Sequence, residues 1–214
     1  MQVCAGDCET WENVGACIDG CSRPPMPSRS GADPVCIPAG PFIMGTPDYP
    51  NAQPVTEVML SEFYLDRFPV TNMRAAQCRD DGGCPTVDEF FSTSELSRYY
   101  MANLDEARRF CIWDGGTVVS EAQWEKAGRG FAPDERPHSW GVDPGDEDMH
   151  PVIGARTHPT PDAFPLAVSP FGVRQMGSTS ELTDSYPILD YSTISPTDPF
   201  YPGDDDYTVA RGAS

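Results

Sequence analysis

Proline and glycine interrupt this chain so often that long helices and long strands are excluded from most of it. The 214 residues include 23 prolines and 19 glycines, about a fifth of the total, where roughly 12% is usual. Proline lacks the backbone donor that helices and central strands require, and glycine weakens both. The density still lies below the roughly 25 to 30% that is typical of low-complexity chains. We therefore predict an ordered α+β domain, irregular and loop-rich, with few short helices and strands.

The charge of the chain argues against a nucleic-acid partner. Its 33 acidic and 14 basic residues give a formal net charge of −19. Binding to phosphates is driven by cationic surface, which this composition lacks. No stretch approaches the roughly 18 apolar residues that a membrane helix requires, so we predict no membrane span.

The cysteines indicate an oxidising compartment. Five of the eight cysteines lie in the first 36 residues, a density that is typical of exported proteins. The residues after Met1 have neither the basic nor the apolar region of a signal peptide. We therefore expect an extracytoplasmic location, whether periplasmic, cell-surface or secreted, and an export signal upstream of Met1.

Residues 1–35 are predicted to form a small cysteine-rich disulfide module that ends in a Pro/Ser/Gly linker at residues 23–33. A segment of this size has almost no core of its own and depends on cross-links. Zinc is the competing interpretation, but an oxidising compartment favours disulfides. The spacing leaves the connectivity open. The four cysteines follow the pattern C-x3-C-x8-C-x3-C and are Cys4, Cys8, Cys17 and Cys21.

A second disulfide candidate is the pair Cys78 and Cys84, which flank the end of a predicted helix. Closing so short a loop would stabilise the fold by about 2 to 3 kcal/mol on the loop-entropy model. Cys36 and Cys111 are then left over, and they could bond to each other.

Two strands are predicted near the start of the remaining chain, which forms a second domain over residues 36–214. Residues 35–45 alternate apolar and small residues around two prolines, which suits an edge strand and a turn. Residues 55–66 form the second candidate, with Val58 and Leu60 turned inward. Thr71 is a good N-cap for a helix that runs to about Asp80.

Two more helices follow, each with a clear start or stop signal. Either Asn103 or Asp105 begins the second helix, and the glycines at 115 and 116 stop it. Ser120 and Gln123 have the form of a capping box, which begins a third helix over residues 121–127. Gly128 and Gly130 are predicted to end it. After Phe131 the prolines recur too often for any regular element longer than a few residues.

Seven short motifs occur in an order that is more informative than any one of them. Together they resemble the formylglycine-generating enzyme, or sulfatase-modifying factor, family over residues 36–214. The motifs are IPAGPFIMG at residues 37–45, FYLDRFPVTN at 63–72, DEARRFCIWDGG at 105–116, SEAQWEKAGRG at 120–130, SWG at 139–141, SPFGVRQMG at 169–177 and RGAS at 211–214.

The resemblance implies a single loop-rich α+β domain that is distantly similar to C-type lectins. Active members of the family oxidise a sulfatase cysteine in a C-x-P-x-R context to Cα-formylglycine. They use oxygen and a copper ion held by two cysteines, and thiolates suit Cu(I) because both are soft. Those cysteines follow the family's R-G-G-S motif, which corresponds to residues 211–214 here. Because no cysteine follows Cys111, we expect a natural protein that continues past Ser214, or a fragment without its C-terminal segment.

The resemblance also bears on Cys111 and on calcium. Cys111 matches a family cysteine whose disulfide partner lies in that C-terminal segment; a buried free thiol is the simpler interpretation.

A family calcium site falls on Gln175, Gly177, Thr179 and Glu181. Calcium prefers anionic oxygen, so Gln in place of Asp and a shifted register should weaken or abolish binding.

The aromatic motif residues Trp113, Trp124, Trp140 and Phe171 are predicted to pack in the core, since aromatics at such positions are normally structural. The histidines His138, His150 and His158 do not have the spacing of metal ligands, so we predict exposed loop histidines and no iron site. The same spacing argues against the iron-dependent sulfoxide synthases that share the family's domain. Solvated acidic loops are predicted around Asp143, Asp146, Glu147 and Asp148, and at Asp204, Asp205 and Asp206.

Two functions are compatible with these residues. The sequence favours a catalytically inactive family member that serves as an extracytoplasmic binding or scaffold domain for a glycan or a protein, because packing positions persist while chemical ones are lost. The alternative is a copper-dependent oxidase that converts a sulfatase cysteine to formylglycine, if the protein continues past Ser214. A sulfatase would then be a partner.

Overall fold

A computed structural model describes residues 20–85, 99, 101, 103–141, 160 and 163–212. Its regular elements are short, as the proline and glycine content predicts, and the irregular, loop-rich α+β class is confirmed. The strands are β1 (Pro34–Ile37), β2 (Gly40–Met44), β3 (Thr56–Leu60), β4 (Phe63–Asp66), β5 (Glu181–Leu182) and β6 (Ala210–Arg211). The helices are α1 (Asn72–Asp80), α2 (Leu104–Asp114) and α3 (Glu121–Arg129).

The strands pair in three two-stranded antiparallel sheets, β1 with β4, β2 with β3 and β5 with β6. The prediction of one strand over residues 35–45 and one over 55–66 was therefore wrong in number, since each divides into two. The first division falls at Pro38, which has no backbone donor to continue a ladder, and the second falls at residues 61–62, between β3 and β4. The carbonyls of Pro38 and Gly40 turn instead to the buried amine of Lys126, at 2.6 and 3.0 Å.

The helix starts agree with the capping signals. The Oγ1 of Thr71 accepts the Arg74 backbone N–H, and the Oδ1 of Asn103, rather than Asp105, caps α2. Ser120 and Gln123 form the reciprocal capping box of α3, which satisfies two free backbone donors.

The end of α3 differs from the prediction. Gly128 stays inside the helix, where an ideal Cβ would lie in van der Waals contact with the Met176 sulfur, at 3.4 Å. The helix ends two residues later than predicted, at Arg129, before Gly130 with a φ of 100°. Only glycine adopts such a conformation without strain.

Three hydrophobic clusters form the core of the described residues. The first lies between β2, β3 and the start of α3 and includes Phe42, Val58 and Leu60, while Tyr191 reaches it from the C-terminal loops. The second joins β1 to α3. The third packs Phe110 and Trp113 of α2 against Cys78 of α1. No helix in the described ranges is long and apolar enough to cross a membrane.

The structure confirms one predicted disulfide and corrects the pairing of another cysteine. Cys78 and Cys84 are bonded, as the sequence suggested. Cys21 bonds to Cys36, so its partner does not lie among the first four cysteines, and a Cys36–Cys111 bond is excluded. The reason is that β1 places Cys36 beside residue 21, a proximity that spacing does not reveal. Cys111 is a free thiol, while Cys4, Cys8 and Cys17 lie outside the described residues.

Residues 23–33, which the sequence suggested as a linker, lie against the folded domain. Ser28 and the Ser30 backbone N–H donate to the buried Asp114 carboxylate at 2.9 and 2.7 Å. The Tyr64 hydroxyl donates to the Arg23 carbonyl. This segment is therefore part of the domain surface.

Replacing both cysteines of either described disulfide with serine tests the role of the two cross-links. We expect the Cys21/Cys36 variant to lose about 3 kcal/mol and the Cys78/Cys84 variant about 2 kcal/mol of unfolding free energy, because the first closes the longer loop. Urea unfolding of the oxidised proteins measures both. Equal stability of the wild type and the Cys21/Cys36 variant would contradict this assignment.

Lys126 gives the fold a pH dependence in the alkaline range. Its burial lowers the pKa to about 8, so the unfolded chain binds more protons between about pH 8 and 10.5. Stability relative to Lys126→Met should therefore rise with pH across that window, by at most about 3 kcal/mol. Urea unfolding of both proteins at several pH values measures this difference, and a constant difference would contradict it.

Candidate functional site

The polar centre of the domain is the carboxylate of Glu125, which is only 3% exposed. It accepts the Gly45 backbone N–H at 2.7 Å and pairs with Arg129 at 3.0 Å. Its other oxygen accepts from Arg211 on β6. We call these four residues the glutamate junction.

The glutamate junction brings three of the sequence motifs together. It joins residues 37–45, 120–130 and 211–214, and the guanidinium of Arg211 also lies over the Trp124 ring at 5.5 Å from its centroid. The Trp124 indole donates in turn to Glu181, next to the motif at 169–177. These contacts bring the motifs together in the core, and these residues hold the scaffold together.

Glu121 lies at the edge of this centre and has a different environment. Its Oε1 accepts the Tyr191 hydroxyl at 3.1 Å and lies 3.5 Å from Arg211. Burial raises the pKa of Glu121, although Arg211 opposes the shift. Burial, with the nearby carboxylates, also raises the pKa of Tyr191. Tyr191 therefore stays a protonated donor at neutral pH.

Glu121 also lines the cleft that we consider the candidate functional site, the tyrosine cleft. This cleft is shallow and opens to solvent, and the volume available to the centre of a water molecule is about 20 Å³. Three tyrosines, one serine hydroxyl and one carboxylate stand in an otherwise apolar wall, which is the usual composition of a small-molecule site. The lining residues are Met44, Glu121, Ala122, Ser185, Tyr186, Ile188, Tyr191, Ile194, Pro199 and Tyr201.

The mouth of the tyrosine cleft exposes aromatic surface. Tyr186 is 44% exposed, and its ring lies 5.9 Å from that of Tyr207, which is 58% exposed. Exposed rings of this kind offer flat apolar faces to a ligand, with hydroxyl groups at their edges.

The residues of the proposed calcium site are only partly suited to a cation. Gln175 is fully buried with a φ of 55°. Its Nε2 donates to the Thr160 carbonyl, and its Oε1 is a buried oxygen with no hydrogen bond. The Glu181 carboxylate already accepts from Trp124. One neutral free oxygen is a weak attraction for calcium, so the expectation that calcium binding is weak or abolished stays a prediction, which a calcium titration of Tm would test.

The other predicted residues are placed as follows. Cys111 is a thiol whose burial raises its pKa to about 12, so it is protonated at neutral pH and a poor metal ligand. Among the described residues no group of three His, Cys, Asp or Glu side chains could hold a metal ion. His150, His158 and the acidic residues at 143–148 lie outside those residues.

Of the four aromatic motif residues that the sequence placed in the core, only Trp113 is buried, while Trp124, Trp140 and Phe171 are half-buried at the edge of the core. Three of the four make ring contacts with other aromatic residues. Trp113 packs on Phe110 at 5.7 Å between centroids, and Phe171 meets Phe131 edge-on at 5.3 Å. Trp140 stacks on His138 at 5.0 Å, and burial lowers the pKa of that histidine. The acidic residues 204–206 are exposed in a loop.

Sequence reasoning missed the tyrosine cleft. A signal was present, because four of the eight tyrosines fall between residues 186 and 207. The pairing of this segment with Glu121 and Met44 could not be found in the same way, because those residues are distant in the chain.

Comparison with known proteins identifies the class to which this scaffold belongs. Residues 22–214 match the family model described as a sulfatase-modifying factor enzyme 1-like domain, FGE-sulfatase. The chain therefore belongs to this family, as its motifs suggested.

The curated relatives carry an oxygenase name. Hercynine oxygenase of Mycolicibacterium smegmatis is 26% identical over 84% of this chain and 53% of its own length. That of Mycobacterium tuberculosis is 27% identical over 77% of this chain and 48% of its own length. The chain thus spans about half the length of these relatives. Neither is named as a sulfatase modifier.

Two solved structures share the fold. PvdO from Pseudomonas aeruginosa superposes with a TM-score of 0.69 at 19% identity, over 86% of this chain and 82% of that one. Treponema denticola variable protein 1 gives 0.55 at 15% identity, over 85% and 83%. At such identities the likeness concerns the fold alone.

The glutamate junction should be the least replaceable polar group of the domain. Glu125→Gln leaves two arginines with a neutral partner in a buried site, so we expect a loss of about 3 to 5 kcal/mol of unfolding free energy. Asp105→Asn, which removes the exposed partner of Arg109, is the control and should cost at most about 1 kcal/mol. Similar urea midpoints for the two variants would contradict the role of the junction.

Proposed function

We propose that this domain is an extracytoplasmic binding module that holds a glycan in the tyrosine cleft. The observation that carries the proposal is the cleft itself, with Tyr186 at its mouth and the Tyr191–Glu121 pair at its wall. Tyrosine rings stack on the apolar faces of sugars, while hydroxyl and carboxylate oxygens bond to sugar hydroxyl groups.

The tyrosine cleft favours a ligand that rests on an open surface over one that is enclosed. Its free space is small, about 20 Å³ for the centre of a water molecule, so a ligand would lie over the mouth of the cleft. The exposed ring of Tyr186 offers a flat apolar face there. A sugar unit at the end of a longer glycan, stacked on that ring, fits this geometry.

The described cysteines support an extracytoplasmic location, and they offer no pair of thiolates that could hold copper. Cys21, Cys36, Cys78 and Cys84 are consumed in disulfides, which persist in oxidising compartments. The protonated thiol of Cys111 is no partner for a copper dithiolate. A formylglycine-generating oxidase would therefore need thiolates from outside the described residues.

A second candidate function is that of an oxygenase, and the names of the curated relatives favour it. The domain would then bind the substrate, and other parts of the protein would supply the metal ligands. Oxygen uptake by the full-length protein with iron and hercynine, and with copper and a C-x-P-x-R peptide, distinguishes the two oxidising functions from a binding role. Uptake coupled to either substrate would overturn the binding proposal.

Tyr186→Ala tests the tyrosine cleft on a broad glycan array. We expect the wild type to bind at least one class of glycan, and the variant to bind it about tenfold more weakly because a stacking face is lost. Tyr49→Ala is the matched control, because Tyr49 is another exposed tyrosine that does not line the cleft.

Two outcomes would contradict the proposal. One is an array on which the wild type binds no glycan. The other is equal loss of binding in the Tyr186 and Tyr49 variants, which would place the ligand elsewhere or indicate a general defect.

A further inference from the structure

Arg108 on α2 connects two loops that border the tyrosine cleft, although it does not line the cleft itself. Its Nε and one terminal nitrogen donate to the two carboxylate oxygens of Asp184, at 3.1 and 2.6 Å. The same terminal nitrogen donates to the Gly203 carbonyl at 2.7 Å. Such a bidentate ion pair fixes the relative orientation of the two side chains as well as their separation.

Each of the two loops carries residues of the cleft wall. Asp184 directly precedes Ser185 and Tyr186, and Gly203 lies two residues after Tyr201. The loops also contact each other, since the Tyr186 N–H donates to the Tyr201 carbonyl at 2.6 Å. Arg108 therefore holds both sides of one wall.

The loop around Asp184 and the loop around Gly203 pack so closely that little space is left between them. A Cβ on Gly203 would lie 3.0 Å from the Ser185 carbonyl oxygen and from Thr208 Oγ1. The Gly203 N–H donates to an Asp184 carboxylate oxygen at 3.3 Å. Apart from the two-residue strand β6 and a 3-10 turn at Tyr191–Thr193, the segment from 183 to 212 has no regular structure to hold it. Isolated backbone hydrogen bonds, such as that from the Val209 N–H to the Ser185 carbonyl at 2.9 Å, and side-chain contacts hold it instead.

We infer that Arg108 is a positioning residue for the tyrosine cleft: by clamping Asp184 and Gly203 it sets the placement of Tyr186 and Tyr201. This inference rests on the proposed function for its effect on ligand affinity. The effect on the loops themselves is independent of any ligand.

The next residue provides a matched control. Arg109 lies on the same helix and pairs with Asp105 at 2.6 Å, four residues earlier, on the exposed surface. Removing either arginine changes the net charge of the chain equally, but only one of them contacts the loops of the cleft.

Hydrogen exchange of the full chain without ligand tests the clamp directly, with Arg108→Gln, Arg108→Lys and Arg109→Gln. In Arg108→Gln we expect the amides of Tyr186, Gly203 and Val209 to exchange at least about tenfold faster, while amides within α3 keep their rates. A merely structural role would speed exchange throughout the domain. Arg109→Gln should match the wild type.

The lysine variant separates charge from geometry. Lysine keeps the charge but is a single point donor, so its exchange rates at Tyr186 and Gly203 should lie between those of the wild type and of Arg108→Gln. Rates equal to the wild type would show that charge alone suffices and would overturn the clamp. Equal rates in Arg108→Gln and Arg109→Gln at these amides would also overturn it.

Affinity for the glycan that the wild type binds best on the array gives the functional readout. Under conditions in which all variants are folded, Arg108→Gln should raise the Kd about tenfold, because the preorganised wall is lost, and Arg109→Gln should leave it unchanged. A wild type that binds no glycan refutes the proposed function, while the exchange rates still decide on the clamp. An unchanged Kd in Arg108→Gln, where the wild type binds, refutes the positioning role.

Discussion

The structure depends on one buried carboxylate. Glu125 binds the start of the domain through the Gly45 backbone, its own helix through Arg129 and the end of the described chain through Arg211. A buried carboxylate costs free energy unless it is fully paired. The fold is therefore stable only when all three partners are in place. In a domain whose strands have two to five residues, such a junction supplies the uniqueness that long sheets supply elsewhere.

Loops built around a junction of this kind suit a binding role. The scaffold fixes the ends of the loops, and the loops carry the residues that meet a ligand. Here α3 contributes Glu121 at its first turn, close to the junction, and the segment from 185 to 201 contributes the tyrosines. The wall of the cleft is therefore tied to the glutamate junction through Glu121 and Arg211 at one side and held by Arg108 at the other.

The sequence predicted those features that depend on neighbours within about four residues. Thr71, Asn103 and the Ser120–Gln123 box determine helix starts through contacts one turn away, and all were found. The motif order identified the family, and three of its seven motifs contain residues of the glutamate junction. The Cys21–Cys36 bond and the tyrosine cleft escaped prediction because each requires a partner that the fold brings from far along the chain. Glu121 and Ser185, for example, are hydrogen-bonded across 64 positions.

The central claim is that a ligand occupies the tyrosine cleft, and NMR of selectively labelled tyrosine rings tests it most directly. On titration with the glycan that the protein binds, the ring signals of Tyr186, Tyr191 and Tyr201 should shift together with one Kd, while those of Tyr49 and Tyr64 stay in place. Shifts confined to Tyr49 or Tyr64, or no tyrosine shift at saturating glycan, would contradict the claim.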